Sequence, residues 1–132
     1  MERNIIYDSE IPTPAQVYRF YEAMGWEPFL GKIEGQLHSA MRGSWSLCCA
    51  WDGGELVGMG RVVSDGFLNA YICGVGVLPG YRGRGIGGEI MQKLISRCAE
   101  HGMKPQLMCE EHLVPHYRKM GFEVFAAGMK MR

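Results

Sequence analysis

Apolar and polar positions follow two different periods along this chain, and the switches between them mark its elements. Residues 4–11, "NIIYDSEI", read as a short first strand. In "TPAQVYRFYEAMGW" the period becomes helical. Val17, Tyr18, Tyr21 and Met24 share one face, Thr13 stands as N-cap, Pro14 takes the first helical position and Gly25 closes the segment. "GKIEGQLHSAMRGS" predicts a second helix through Ile33, Leu37 and Met41, weakened by Gly35. The intervening loop, "GWEPFLG", is rich in aromatics and reads either as a packed corner or as the wall of a pocket.

Three strand-like runs follow: "SWSLCCAWD", "ELVGMGRVVSD" and "FLNAYICGVGV". The turn signals "DGG" and "SDG" join them, so an antiparallel meander is expected. "GGEIMQKLISRCAEHG" returns to the helical period, with Ile90, Met91, Leu94, Ile95 and Cys98 on one stripe and Gly102 at its close. A strand "KPQLMCE", a short helix "HLVPHYRKMG" and a final strand "FEVFAAGMKMR" complete the chain. The passage from "NAYICGVGV" through the long helix to "KPQLMCE" predicts a right-handed parallel crossover. The expected fold is α/β (α+β): a mixed, mainly antiparallel sheet with helices on both faces, in one domain over residues 1–132.

Composition narrows the function classes. With 14 basic and 14 acidic residues the formal net charge is zero, which gives no global reason to expect nucleic acid or a membrane surface as partner. The opening "MERNIIYDSE" is polar where a signal peptide needs an apolar stretch, and no apolar run approaches a membrane span. Five cysteines, Cys48, Cys49, Cys73, Cys98 and Cys109, are odd in number and scattered, so a disulfide framework is not expected and a reducing cytoplasm fits. The four histidines stand at no ligand spacing with them, so no metal is expected, although His112 and His116 are spaced to share a helix face. The ten methionines suit adaptable packing.

The remaining signal is "YRGRGIGGE", residues 81–89, directly after a strand and opening a helix. A helix start leaves backbone N–H groups unpaired at the positive end of its dipole, and glycines let a diphosphate approach the main chain. A P-loop would need Lys followed by Ser or Thr after the glycines, where Glu89 and Ile90 stand. A Rossmann fingerprint belongs after the first strand of a parallel sheet, not after a meander. A tight glycine corner with solvent-facing arginines remains the plain structural alternative.

In its surroundings the stretch resembles the acetyl-CoA signature of the GNAT N-acyltransferase superfamily. "GVGVLPGYRGRGIGGEIMQKLI" places Arg82, Gly85 and Gly87 at that signature's spacing, and "HYRKMGF" is similar to the second one through Tyr117, Gly121 and Phe122. "LMCEEHLVPHYRKMGF" is locally similar to arylalkylamine N-acetyltransferases. The two histidines of that group fall on Tyr71 and Cys73 here, so its proton route does not carry over.

The resemblance implies an enzyme, an acetyl-CoA-dependent N-acetyltransferase with acetyl-CoA as cosubstrate. The pyrophosphate would lie on the backbone N–H groups of Gly83, Arg84, Gly85, Ile86, Gly87 and Gly88, with Arg82 and Arg84 as charged donors. The pantetheine arm would run along Val75, Gly76 and Val77, and a backbone N–H near Val75 would polarise the thioester. Gly74 and Gly76 suit a bulge or the close approach of another chain. Tyr117 would serve as the catalytic acid to the leaving thiolate. Tyr71, Cys109, Glu110 and Glu111 are candidate bases, with uptake of a neutral amine as the alternative; Cys109 is expected as a buried strand thiol, and His112 and His116 on a solvated face. The acceptor would be a small-molecule or protein amine, lined by Trp26 and Phe29. A non-catalytic acyl-CoA-binding module is the second reading, and a homodimer through edge strands or C-terminal strand exchange is compatible with the sequence.

Overall fold

The computed structural model describes residues 4–26, 31 and 34–132. A five-stranded sheet runs in the order β1 (Ile6–Asp8), β2 (Ser46–Asp52), β3 (Glu55–Ser64), β4 (Ala70–Val77) and β5 (Gln106–Leu107). All neighbours are antiparallel except β4 and β5, which are parallel as the crossover requires. The helices are α1 (Pro14–Met24), α2 (Glu34–Arg42), α3 (Ile86–Glu100) and α4 (Val114–Arg118), with 3-10 turns at Pro79–Tyr81 and Glu111–Leu113.

Local chemistry sets the ends of α1 where expected. Thr13 Oγ1 accepts from the Gln16 N–H, and Gln16 Oε1 accepts in return from the Thr13 N–H. Gly25 ends the helix in the left-handed region, φ 67°.

Two apolar layers form on opposite faces of the sheet. On one, Val17 and Phe20 of α1 and Leu37 and Met41 of α2 pack on Leu47, Cys49 and Met59. On the other, Ile86, Ile90, Leu94 and Cys98 of α3 pack on Val57, Val62, Ala70 and Ile72. Side chains alternate along each strand, so the meander has two buried faces and α3 needs a full apolar stripe. The stripe extends to Ile86, one turn earlier than its periodic run.

The structure departs from expectation at four places. The first strand keeps only Ile6–Asp8. The third strand of the meander begins at Ala70, because Asp65 Oδ1 accepts from the N–H groups of Phe67, Leu68 and Asn69 and coils the segment away. β5 pairs through two residues only, Tyr71 with Gln106 and Ile72 with Leu107. The final strand is absent: residues 122–132 form no ladder, and Val124, Phe125, Met129 and Met131 are largely exposed. A two-residue edge is too short a template to hold a further strand.

The candidate active-site cleft

The short β5 and the cleft have one cause. Met59 pairs with Gly76 and Arg61 with Cys73, so β4 takes three steps where β3 takes two. The surplus residue is absorbed at Gly74, whose φ of 62° makes a bulge. Beyond it β4 turns away from β5, and Gly74 and Val75 have no register partner in either neighbour. Gly74 and Gly76 were expected for a bulge or for the close approach of another chain, and at Gly74 the structure has a bulge.

The wedge between the parted strands is a cleft of about 590 Å³. Ile72, Cys73, Gly74 and Val75 form its β4 wall, and Leu107 and Met108 face them. Tyr21, Gly25 and Trp26 close it from α1, Arg61 from β3, Met91 from α3 and Tyr117 from α4. Tyr117 is half-buried, stacked edge-on against Phe122 and His116. Burial raises its pKa above the usual 10, and the neighbouring Cys109 adds to the shift, so the phenol holds its proton.

The glycine-rich turn lies at the far end of β4, outside the cleft's lining. Gly83 and Gly85 both take positive φ, 78° and 80°, and Gly85 is the N-cap of α3. No side chain caps this helix, and its first backbone bond runs from the Glu89 N–H to Gly85 O. The N–H groups of Ile86, Gly87 and Gly88 therefore have no acceptor within the helix. The Ile86 side chain is buried in the α3 layer and fixes the direction of this helix start. An anion of diphosphate size fits these observations: unpaired donors, no Cβ in the way and the positive end of a 15-residue helix.

The two arginines brace the turn from its ends. Arg82 Nε donates to Val77 O at 3.0 Å and Arg84 Nη2 to Gly80 O at 3.3 Å. The Arg84 guanidinium also lies 5.0 Å from the centre of the Tyr81 ring, whose hydroxyl donates to Asp52. Val77 packs beside Gly87 and so joins the end of β4 to the start of α3.

Gly76 has a packing reason of its own. A Cβ there would lie 2.8 Å from Trp26 Cζ2 and 2.7 Å from Met24 Cε, so its lack of a side chain seats the Trp26 ring. Trp26 packs edge-on against Tyr21 and Phe20 and lines the cleft as expected; Phe29 lies outside the described residues. None of Tyr71, Cys109, Glu110 or Glu111 lines the cleft. Cys109 is exposed, because β5 ends at Leu107 and cannot bury it. His112 sits 3.6 Å from Glu110 on the exposed surface.

Sequence reasoning missed Arg61, Tyr21 and Cys73 as cleft residues. Arg61 had a signal: a charged side chain on the same strand face as the buried Met59. Tyr21 gave none, because it also fits the helix's apolar stripe.

The sequence pattern of the Acetyltransferase (GNAT) family matches residues 9–122. A Glycine max protein named histone acetyltransferase TAP1 is 35% identical over 102 residues, covering 74% of this chain and 42% of the relative. An Arabidopsis thaliana protein named GCN5-related N-acetyltransferase 2, chloroplastic, is 33% identical over 103 residues, covering 71% of this chain and 40% of that protein. The chain thus spans about two fifths of the length of these curated relatives. Among solved structures, a GNAT family acetyltransferase from Streptococcus pneumoniae is 30% identical with a TM-score of 0.81, covering 98% of both chains. No helix among the described residues is long and apolar enough to cross a membrane.

Overpacking at the bulged strand gives a direct check. Gly76→Ala is expected to lower unfolding stability by about 1–3 kcal/mol in urea titrations. Combined with Trp26→Ala it should lose less than the sum of the two single changes, since the ring that the new methyl strikes is gone. Strict additivity would contradict this packing.

Proposed function

Because the chain belongs to the Acetyltransferase (GNAT) family, we propose that it is an acyltransferase that moves the acetyl group of acetyl-CoA directly to a primary amine. The observation that carries this reading is the junction of an uncapped helix start at Ile86–Gly88 with a bulged strand whose next turn opens a cleft holding Tyr117. In this reading the diphosphate takes the N–H groups of residues 86–88, and the free faces of Arg82 and Arg84 add charge at the rim. The pantetheine amides pair with the edge of β4 that β5 leaves open along Val75, Gly76 and Val77. A backbone N–H at the bulge faces the thioester oxygen as negative charge grows there.

The amine enters from the side of α1 and Trp26. Its nitrogen forms the new bond to the carbonyl carbon, the carbon–sulfur bond breaks, and the sulfur takes the Tyr117 proton. No candidate base lines the cleft, so the amine attacks in its neutral form, and the one surplus proton its nitrogen then carries passes through water to Tyr117 and restores the phenol. Rate then rises with pH as the amine deprotonates, and the phenol is lost only above pH 10, since its pKa is raised.

Two variants test it. Gly88 is exposed and has open space for a side chain, so Gly88→Asp should fold normally, an acid in the first turn being favourable to the helix. Calorimetry should nevertheless show CoA binding weakened at least about 10-fold by like-charge repulsion. Unchanged affinity would remove the diphosphate from this helix start. Tyr117→Phe should lower kcat about 10²-fold on any accepted amine and leave CoA affinity nearly as it was. If the variant turns over as fast as the parent from pH 7 to pH 10, Tyr117 is not the acid.

A further inference from the structure

Arg61 is the one charged side chain among the described residues that line the cleft. It extends from β3 on the α1 side, the side from which the acceptor enters. Its Nη1 donates to Ser44 Oγ at 3.4 Å and the guanidinium is hydrogen-bonded to the Tyr21 phenol, while its Nε–H is buried with no acceptor. Among the described residues no carboxylate pairs with it, and no Asp or Glu lines the cleft. It also stands at the bulge: a Cβ built on Gly74 would lie 3.6 Å from both Arg61 Nε and the Tyr21 hydroxyl oxygen. A guanidinium with an unsatisfied donor, half-buried beside the reacting position, is a strong site for an oxyanion.

We propose that the acceptor is an amine carrying an oxyanion, carboxylate or phosphate, on the same small molecule, and that Arg61 holds that oxyanion while the amine faces the bulge. This rests on the acetyl-transfer reading above and adds the substrate class to it. The same charge disfavours polycationic acceptors, because the cleft lining supplies no carboxylate to hold a second ammonium. The fork of the guanidinium orients the ligand, and the short reach from Arg61 to Gly74 limits the separation between oxyanion and amine to that of a small metabolite.

The test compares matched acceptors on the intact protein, with rates corrected for the fraction of neutral amine. Leucine is paired with leucinamide, O-phosphoethanolamine with ethanolamine, and spermidine serves as the polycation. At least one anionic member should exceed its uncharged partner by about 10²-fold in kcat/KM. Which pair shows the preference distinguishes carboxylate from phosphate. In Arg61→Gln that preference should fall below about tenfold, mainly through KM, with Arg61→Lys intermediate because it keeps the charge and loses the fork. Calorimetry of the favoured acceptor in the presence of CoA, where no turnover occurs, should show the same loss of affinity. The parent comparison needs no variant and stands even if the substitutions fail to fold. Uncharged or polycationic amines accepted as well as anionic ones would overturn the role of Arg61 and leave acetyl transfer intact. CoA binding with no acetylation of any amine would overturn the acetyl-transfer reading, and this inference with it.

Discussion

Between Cys73 and Gly76, β4 takes three steps where β3 takes two, and a regular ladder cannot hold both. The surplus is accommodated at Gly74, in a backbone conformation that side-chain-bearing residues rarely adopt. Because the bulge turns β4 away from its parallel neighbour, β5 ends after two paired residues. The open wedge that Tyr117 lines, and the lack of register partners for Gly74 and Val75, go with that misfit. A sheet is otherwise closed to ligands along its length, since its backbone groups are used up in pairing. Here the register break opens one of its inner strands.

The helix start beyond β4 depends on the same strand. Ile86 fills the apolar layer on the α3 face, which points the first turn of α3 at the end of β4. Gly83 and Gly85 then let the chain reverse without placing a side chain over the free N–H groups. Arg82 ties the turn back to Val77, and Tyr81 ties it to Asp52 at the turn between β2 and β3. The arginines that look like pure anion ligands in the sequence therefore also stiffen the loop. In the proposed function such bracing lowers the ordering cost of binding the diphosphate, because the donors are already aimed.

How much of this could be read from the chain depends on how local each feature is. The N-cap at Thr13, the α3 stripe and the turn at residues 81–89 are written within one or two turns of sequence, and all appear in the structure. Tyr117 was singled out by its spacing to Gly121 and Phe122, and the cleft contains it. The length of β5 and the missing ladder at residues 122–132 depend on what β4 leaves available, which the segments themselves do not encode. Gly76 shows the same limit from another side. Its glycine was expected for a bulge or the close approach of another chain; a Cβ there would strike Trp26 and Met24, some fifty residues earlier, which the segment itself does not encode. Arg61 was passed over because a charged residue in a strand is ordinarily taken to face water, whereas the meander here has two covered faces.

A crystal structure of this protein with CoA bound tests the central claim most directly. The account predicts the diphosphate on the N–H groups of residues 86–88 and the pantetheine arm lying in the wedge, paired with β4 beyond Gly74. A cofactor seated elsewhere, or a β4 that straightens and pairs with β5 past Ile72 when CoA is bound, would contradict it.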